Sequence, residues 1–420
     1  MKQKNWLIIE PYVYIEIGQE KILLYNTLNK IIKIVDEPIS LRLFNKNNDK
    51  NLLGIIEIQE KELKDINFQV IIKELMKEFM VDILTSNQNS IKPVQIPPLL
   101  KVEEFLPDHR KQNEQIISNN IVTFVDEINI YINNGIPKTD KYFFQEGFKQ
   151  FLTVRSDSNE YNELGLSVIK DFYNRFSKHS LKKINVLGNN IMKYSTLKEM
   201  VAFLNSVPHF KNYFIYFEDF KSDSLQFLSQ VDTYSMVHII FYNFVDKNGQ
   251  ILEILQTIQN FQNIILDFYI STDRCIDHVE NLKSKIGSVN YCLFPFFNEE
   301  NRNLLSSTIS FSRNDIHFSD LSIKKILIRK KINENLFGNL SIFTNGDVYS
   351  NCNFPKLGNI NTNDILEMLF IEVNHVKSWF FTRNDVIPCK TCLYKNLCPP
   401  ISNLELYLQK FDFCSEFQLV

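Results

Sequence analysis

No cysteine precedes Cys275, and only 11 of the 420 residues are glycine. The first absence removes disulfides and thiolate metal sites from most of the chain. The second, set against a usual share of ~7%, argues against Gly-rich loops that cradle phosphates. No stretch approaches the ~20 apolar residues of a membrane-spanning helix, and the strongest runs, such as Tyr213 to Phe217, are of strand length. Met1 to Glu10 carries two lysines but only a short apolar stretch and no small-residue cleavage site, so no secretory signal is expected. Net positive charge is missing as well: 46 Lys and Arg against 49 Asp and Glu give −3. No basic field exists to hold a polyanion by counterion release. A cytoplasmic protein with neither nucleic acid nor membrane as partner is the expectation.

What is present describes a folded chain. Apolar residues make up 44% and charged residues 23%, far from the composition of disorder. The length suits two or three domains. Tyr12 to Ile17, Lys21 to Tyr25 and Lys30 to Val35 are β-branched and aromatic runs split by turn residues, which predicts a three-stranded antiparallel meander. A short amphipathic segment at Ile39 to Phe44 and an apolar run at Leu52 to Ile58 follow. Phe68, Ile71, Ile72, Leu75, Met76 and Phe79 then recur at helical spacing and predict one buried stripe. Ser86 to Pro98 has the composition of a linker. The predicted divisions are 1–85, a linker at 86–120, 121–336 and 337–420.

Beyond Asp126 strands alternate with helices. Runs at Ile128 to Ile132, Ile184 to Leu187, Tyr213 to Phe217, Val237 to Tyr242, Ile264 to Ile270 and Val289 to Phe294 are separated by helical stretches, among them Leu164 to Phe176, Thr196 to Asn205 and Gln250 to Phe261. This alternation predicts an α/β fold with parallel strands, either a partial barrel of six units or an open doubly wound sheet. After about Phe337 the alternation stops. Asn345 and Gly346 predict a hairpin between Leu340 to Thr344 and Val348 to Ser350, because both turn residues tolerate positive φ. A short helix is expected at Asp364 to Phe370.

The chemistry-bearing pattern lies at the end of the chain. Cys389, Cys392 and Cys398 are spaced Cys-x2-Cys-x5-Cys, with Cys414 sixteen positions later. Two thiolates separated by two residues chelate one centre without strain, and four complete the set used by iron-sulfur clusters and structural zinc. Spacing does not choose between iron and zinc. Cys275 and Cys292 read as buried small residues, and the seven histidines show no metal-ligand spacing.

The run Leu340 to Cys352, then Leu357 to Ile360, then these cysteines, resembles the SPASM domain appended to radical S-adenosylmethionine enzymes that modify peptides. The resemblance implies that Cys389, Cys392, Cys398 and Cys414 hold one auxiliary [4Fe-4S] cluster, with zinc or an empty site as alternatives. Ser402 stands where a further thiol is usual. Cys352 is either a remnant of a lost first cluster or a substitute fourth ligand. The segment Cys398 to Glu405 is similar to a narrower group, the pseudo-radical-SAM proteins of Bacteroidetes peptide-maturation systems. The enzyme family's Cys-x3-Cys-x2-Cys motif is missing after the first strand, Glu127 to Asn133, and Asn189 replaces a glycine usual in the second-strand turn. A degenerate radical-SAM-like partial (β/α)6 barrel is therefore implied, with no catalytic residues and no bound S-adenosylmethionine.

The N-terminal meander and helix resemble the winged-helix recognition element of ribosomal peptide maturation. That likeness implies capture of a precursor leader peptide as an added strand along Ile31, Ile32, Lys33 and Ile34, in a groove completed by Ile72, Leu75 and Phe79. A covered edge in an ordinary small domain is the plainer reading. The expected role is that of an accessory protein binding a leader peptide, a partner radical maturase, or both. The alternatives are an active oxidoreductase with unconventional cluster ligands and a zinc-stapled scaffold.

Overall fold

A computed structural model describes residues 3–46, 54–87, 93, 121–134, 150–151, 161–176, 181–287, 289–298, 301 and 311–414. Most of the expected linker, and the stretch from 135 to 147 after the first predicted barrel strand, lie outside these residues.

Two small antiparallel sheets form the N-terminal unit. Strands β1 (Gln3–Ile9), β5 (Ile55–Ile58) and β6 (Val81–Asn87) make one, in the order β5-β1-β6. Strands β2 (Val13–Ile17), β3 (Ile22–Asn26) and β4 (Ile32–Val35) make the predicted meander. The sequence does not predict the first sheet, since β1 and β6 draw their ladder from distant residues. Helices α1 (Pro38–Lys46), α2 (Glu60–Leu63) and α3 (Ile66–Lys77) complete the unit. Asp65 caps α3 by accepting a hydrogen bond from the Phe68 amide at 3.0 Å. Phe68, Ile72 and Leu75 pack with Leu7, Ile22, Leu24 and Leu43 in one core. Phe79 departs from the predicted stripe: it lies past the end of α3 at φ 56° and is 69% exposed.

Every residue of β3 is buried, because the strand is covered on both faces. Ile22 and Leu24 enter the N-terminal core, while Leu23 and Tyr25 pack with Tyr14 against Ile316, Ile326, Tyr394 and Leu397 from the far end of the chain. Each such fully buried side chain contributes roughly 1.5–3 kcal/mol.

The large sheet has nine strands in the order β12-β11-β10-β9-β8-β7-β13-β14-β15. Strands β7 (Glu127–Asn133), β8 (Lys183–Gly188), β9 (Phe210–Tyr216), β10 (Ser235–Phe241), β11 (Ile264–Ile270) and β12 (Asn290–Pro295) run parallel in chain order. Helices α4 (Leu166–Phe176), α5 (Leu197–Asn205), α6 (Ser222–Gln230), α7 (Asn248–Ile258) and α8 (Asp273–Ile286) all contribute to the core on one face. A doubly wound sheet requires a switch point and helices on both faces. The strand order, which has no switch point, excludes it here, and among the described residues the helices that follow the strands lie on one face.

Alternation along the strands explains this sidedness. Ile128, Ile130 and Ile132 of β7, Ile184 and Val186 of β8, and Tyr213 and Ile215 of β9 face the helices. On the opposite face Tyr131, Leu187, Phe214, Tyr216, Ile240, Tyr269 and Phe296 form an aromatic layer. Below it Asn212 donates to Asn185 at 2.8 Å, Asn185 to Asn129 at 2.7 Å, and Asn129 to Ser341 at 3.2 Å. This asparagine ladder ties four strands together where apolar side chains would otherwise meet.

Strand β13 (Asn339–Ile342) adds to β7 in parallel, so the large sheet continues across the predicted division at 336. The hairpin to β14 (Asp347–Tyr349) forms around Gly346 at φ 83°, as Asn345 and Gly346 imply, and β15 (Gly358–Asn359) closes the edge. Two short helices, α9 (Arg313–Phe318) and α10 (Ile323–Arg329), precede this segment. Helices α11 (Ile365–Ile371) and α12 (Asn403–Leu408) follow it. Among the described residues no helix is long and apolar enough to cross a membrane.

Candidate metal centre

The tail is an irregular chain held by side-chain hydrogen bonds. Cys389 opens a short 3-10 turn, Cys389–Thr391, that ends at Cys392. A second turn closes when the Cys398 amide donates to the Tyr394 carbonyl at 3.0 Å. These two turns set the three thiols on one side of the loop. Cys414 arrives from elsewhere: the Phe311 amide donates to the Phe413 carbonyl at 2.9 Å, and Phe311 and Cys414 form a parallel bridge. That contact carries Cys414 back toward the loop.

Cys389, Cys392, Cys398 and Cys414 line one cavity of about 450 Å³, together with Arg383, Lys395, Glu405 and apolar residues including Phe411. Among the described residues no three Cys, His, Asp or Glu side chains converge on a single ion position. The four thiols share the lining of one space. A tetrahedral zinc with Zn–S near 2.3 Å draws its sulfurs to within roughly 4 Å of one another. A four-iron cluster is held at its corners by the same four thiolates. The donor set suits either group, and the cavity that the four thiols line leaves room between them.

Burial works against ionisation of these thiols, and the Arg383 guanidinium is the group that opposes it. Burial pushes the Cys398 thiol up to about 12, and the neighbouring Cys392, Cys389 and Cys414 thiols add to this while Arg383 opposes it. Burial also raises Cys389, again against the pull of Arg383. Thiols of this kind lose their protons only to a bound metal, so loading releases protons. The Tyr394 amide donates to Cys392 Sγ at 3.3 Å, and an Arg383 guanidinium N–H points at Cys389 Sγ at 3.6 Å.

Ser402, at the position of an expected thiol, caps α12. It accepts from the Glu405 amide at 3.2 Å, while the Glu405 carboxylate accepts from the Ser402 amide at 2.8 Å. The same carboxylate pairs with Arg383 at 3.0 Å. Cys352 does not line the cavity. Its thiol lies near Tyr131 and Tyr349, and burial raises it to about 12. Cys275, on the helix-covered face of the sheet, sits 3.3 Å from Thr272 Oγ1, and Cys292 is exposed on β12. Cys275 and Cys352 are therefore on opposite faces of the sheet and do not assemble with Cys292 into a second thiol site.

The cysteine loop is fixed to the N-terminal unit. Asn396, 1% exposed, donates to Tyr14 Oη at 2.9 Å and to Glu16 Oε2 at 3.0 Å, and Lys395 Nζ lies 2.9 Å from Glu16 Oε1. Tyr14 also donates to Glu16. Sequence reasoning found neither this network nor Arg383. A lone arginine six residues before a cysteine pair was the one available signal.

The candidate peptide edge is β4, which pairs with β3 alone among the described residues. Ile34 is exposed, Ile31, Ile32 and Lys33 are half-buried, and Lys33 lies 3.9 Å from Glu74 of α3. Ile72 and Leu75 face inward, 2% and 1% exposed, and form the core beneath this edge instead of a rim. Phe79 lies beyond the helix. On the helix itself, Ile71 and Glu74 occupy the side toward β4, with exposed Val70 beside them.

The fold and site thus define an α/β protein with a large, mostly parallel sheet and a four-cysteine cavity at its C-terminal end. No protein-family model and no curated protein matches the chain. Among solved structures it is similar to Streptococcus suis SuiB bound to precursor peptide SuiA, at 13% identity and a TM-score of 0.43, over 93% of this chain and 94% of that one. It is similar over the same shares to Streptococcus suis SuiB bound to S-adenosylmethionine, at 13% identity and a TM-score of 0.39.

Proposed function

We propose that this chain is a non-catalytic accessory protein in the maturation of ribosomally synthesised peptides. Residues 1–85 hold a precursor leader as an added strand on β4. The one-sided sheet is a degenerate radical-SAM-like partial barrel, and residues 337–420 form a SPASM domain. The observation that carries this reading is that Cys389, Cys392, Cys398 and Cys414 line one cavity, the first three in a loop fixed to the N-terminal meander by Tyr14, Glu16 and Asn396. A [4Fe-4S] group with four cysteine ligands supplies a one-electron site and no open iron. This chain's own part is to desolvate and neutralise that group, and to present the β4 edge at a fixed position beside it. A partner radical maturase would supply the chemistry.

Anaerobically purified protein is expected to be brown with close to four irons per chain. Colourless protein with stoichiometric zinc would replace the cluster reading with a structural staple. Dithionite and S-adenosylmethionine are expected to release no 5′-deoxyadenosine, and release above a buffer control would restore the active-oxidoreductase alternative. Ile34→Asp and Ile34→Pro, at a residue whose amide faces away from β3, are expected to abolish binding of the cognate leader while leaving the circular dichroism spectrum unchanged. Unchanged affinity in both would remove β4 as the peptide edge.

A further inference from the structure

Arg383 is buried at the wall of the cysteine cavity with a side-chain exposure of 11%, and its guanidinium donates along three directions. Nε reaches the Pro399 carbonyl at 2.6 Å, one terminal nitrogen reaches Cys389 Sγ at 3.6 Å, and both terminal nitrogens reach the Glu405 carboxylate, at 3.0 and 3.3 Å. Glu405 is equally withdrawn, 9% exposed at its side chain, and is held by the α12 cap as well. A buried charge is costly unless something repays its desolvation. The Glu405 carboxylate offsets much of the cost of burying the guanidinium, and a helix cap by itself needs no arginine. What the pair adds to this wall is a fixed positive charge within reach of a thiol, with its negative partner one side chain farther on.

We propose that Arg383 and Glu405 act as an opposed pair of fixed charges that set the reduction potential of the group held by Cys389, Cys392, Cys398 and Cys414. The proposal rests on the cluster reading given above. Reduction adds one electron to the group and neither forms nor breaks a bond, so the states differ only in charge. In a low-dielectric wall, a nearby cation stabilises the more negative state and a nearby carboxylate opposes it. Arg383 therefore raises the potential, and Glu405 moderates the rise. Both are positioning residues, acting through the cluster's surroundings and not on any substrate.

The sign of each effect makes the test. Full-length wild type, Arg383→Met, Arg383→Lys and Glu405→Gln would be purified anaerobically, analysed for iron and sulfide, and titrated with dithionite in the presence of mediators while the cluster's electron paramagnetic resonance signal is followed. Arg383→Met is expected to shift the midpoint to more negative potential and Glu405→Gln to more positive potential, with Arg383→Lys close to wild type. Damage to packing alone would lower iron content, or move both midpoints in the same direction. If Arg383→Met does not load, the positive shift of Glu405→Gln still decides the question. Loaded variants with unchanged or same-sign midpoints would overturn the charge-pair proposal while leaving the cluster reading intact. Wild type without iron would overturn both.

Discussion

Replacing Asn396 with alanine tests whether the cysteine loop and the N-terminal unit form one cooperative body. The side chain donates to Tyr14 Oη and Glu16 Oε2 and accepts from Asn384 Nδ2 at 3.1 Å. Its removal takes one donor from a carboxylate that keeps Tyr14 and Lys395, and one from a phenol that keeps Glu16 as acceptor. A hydrogen bond to a charged group contributes about 1.5–3 kcal/mol and one to a neutral group about 1 kcal/mol, so about 3 kcal/mol is expected. Glu16→Ala strands Lys395 and Asn396 together, and its pair is 11% and 15% exposed at the side chains, so it falls near the low end of a broken buried pair, about 3 kcal/mol. Because both variants dismantle the same network, the double variant is expected to cost about 4 kcal/mol, well short of the sum. The chain supplies its own probes: its two tryptophans are Trp6 in β1 and Trp379 in the core of the large sheet. In a Trp379→Phe background fluorescence reports the N-terminal unit, and in a Trp6→Phe background the C-terminal body. With a urea slope of about 2 kcal/mol/M, Asn396→Ala should lower the Trp6 midpoint by about 1.5 M relative to its own background. The Trp379 midpoint should move less, so transitions that coincide in the parent proteins should separate. Coincident transitions in the variant, or a Trp6 shift below about 0.3 M, would show that the polar network does not couple the two bodies.

Three further outcomes follow from single side chains. Glu372 is 0% exposed and accepts from Ser350, Ser378 and the Trp379 amide at 2.6, 3.0 and 2.9 Å, yet burial raises its pKa. A raised carboxyl stabilises the fold fully below its unfolded pKa and loses that contribution as pH rises through the folded value. Glu372→Gln should therefore be more stable than wild type at pH 7 by urea denaturation, with the gap closing toward pH 4. Gly338 sits at φ 77°, where a Cβ would lie 2.4 Å from the Phe124 carbonyl oxygen, and its own carbonyl accepts from the Asp126 and Glu127 amides. Gly338→Ala should cost at least ~2 kcal/mol in thermal or urea unfolding, because strained backbone and a steric clash add at the junction of β13 and β7. Cys352, with its thiol raised to about 12, carries a thiolate fraction of about 10⁻⁴ at pH 8. Peptide mapping after native iodoacetamide treatment should find Cys292 labelled and Cys352 unlabelled, and urea should make the two equal.

Residue order alone determined the strands of the large sheet, because period-2 alternation between Ile128, Ile130 and Ile132 on one face and Asn129 and Tyr131 on the other is a local property. It also determined the meander, the Asn345-Gly346 hairpin, the short helix after Asp364, and the grouping of Cys389, Cys392 and Cys398. The N-terminal sheet was not legible, since β1 pairs with residues about fifty and eighty positions away. Phe79 fits the helical period, but the chain leaves the helix before reaching it. Only the tertiary structure decided that helices cover one face of the sheet, that Ile72 and Leu75 are core under β4, and that Cys414 reaches the cavity through Phe311. It alone also placed Arg383 and Glu405 at the cavity wall and joined Glu16 to Asn396, some 380 residues apart. Periodicity and spacing encode what neighbouring residues do together. Desolvation and charge pairing depend on which distant surfaces the closed chain brings into contact.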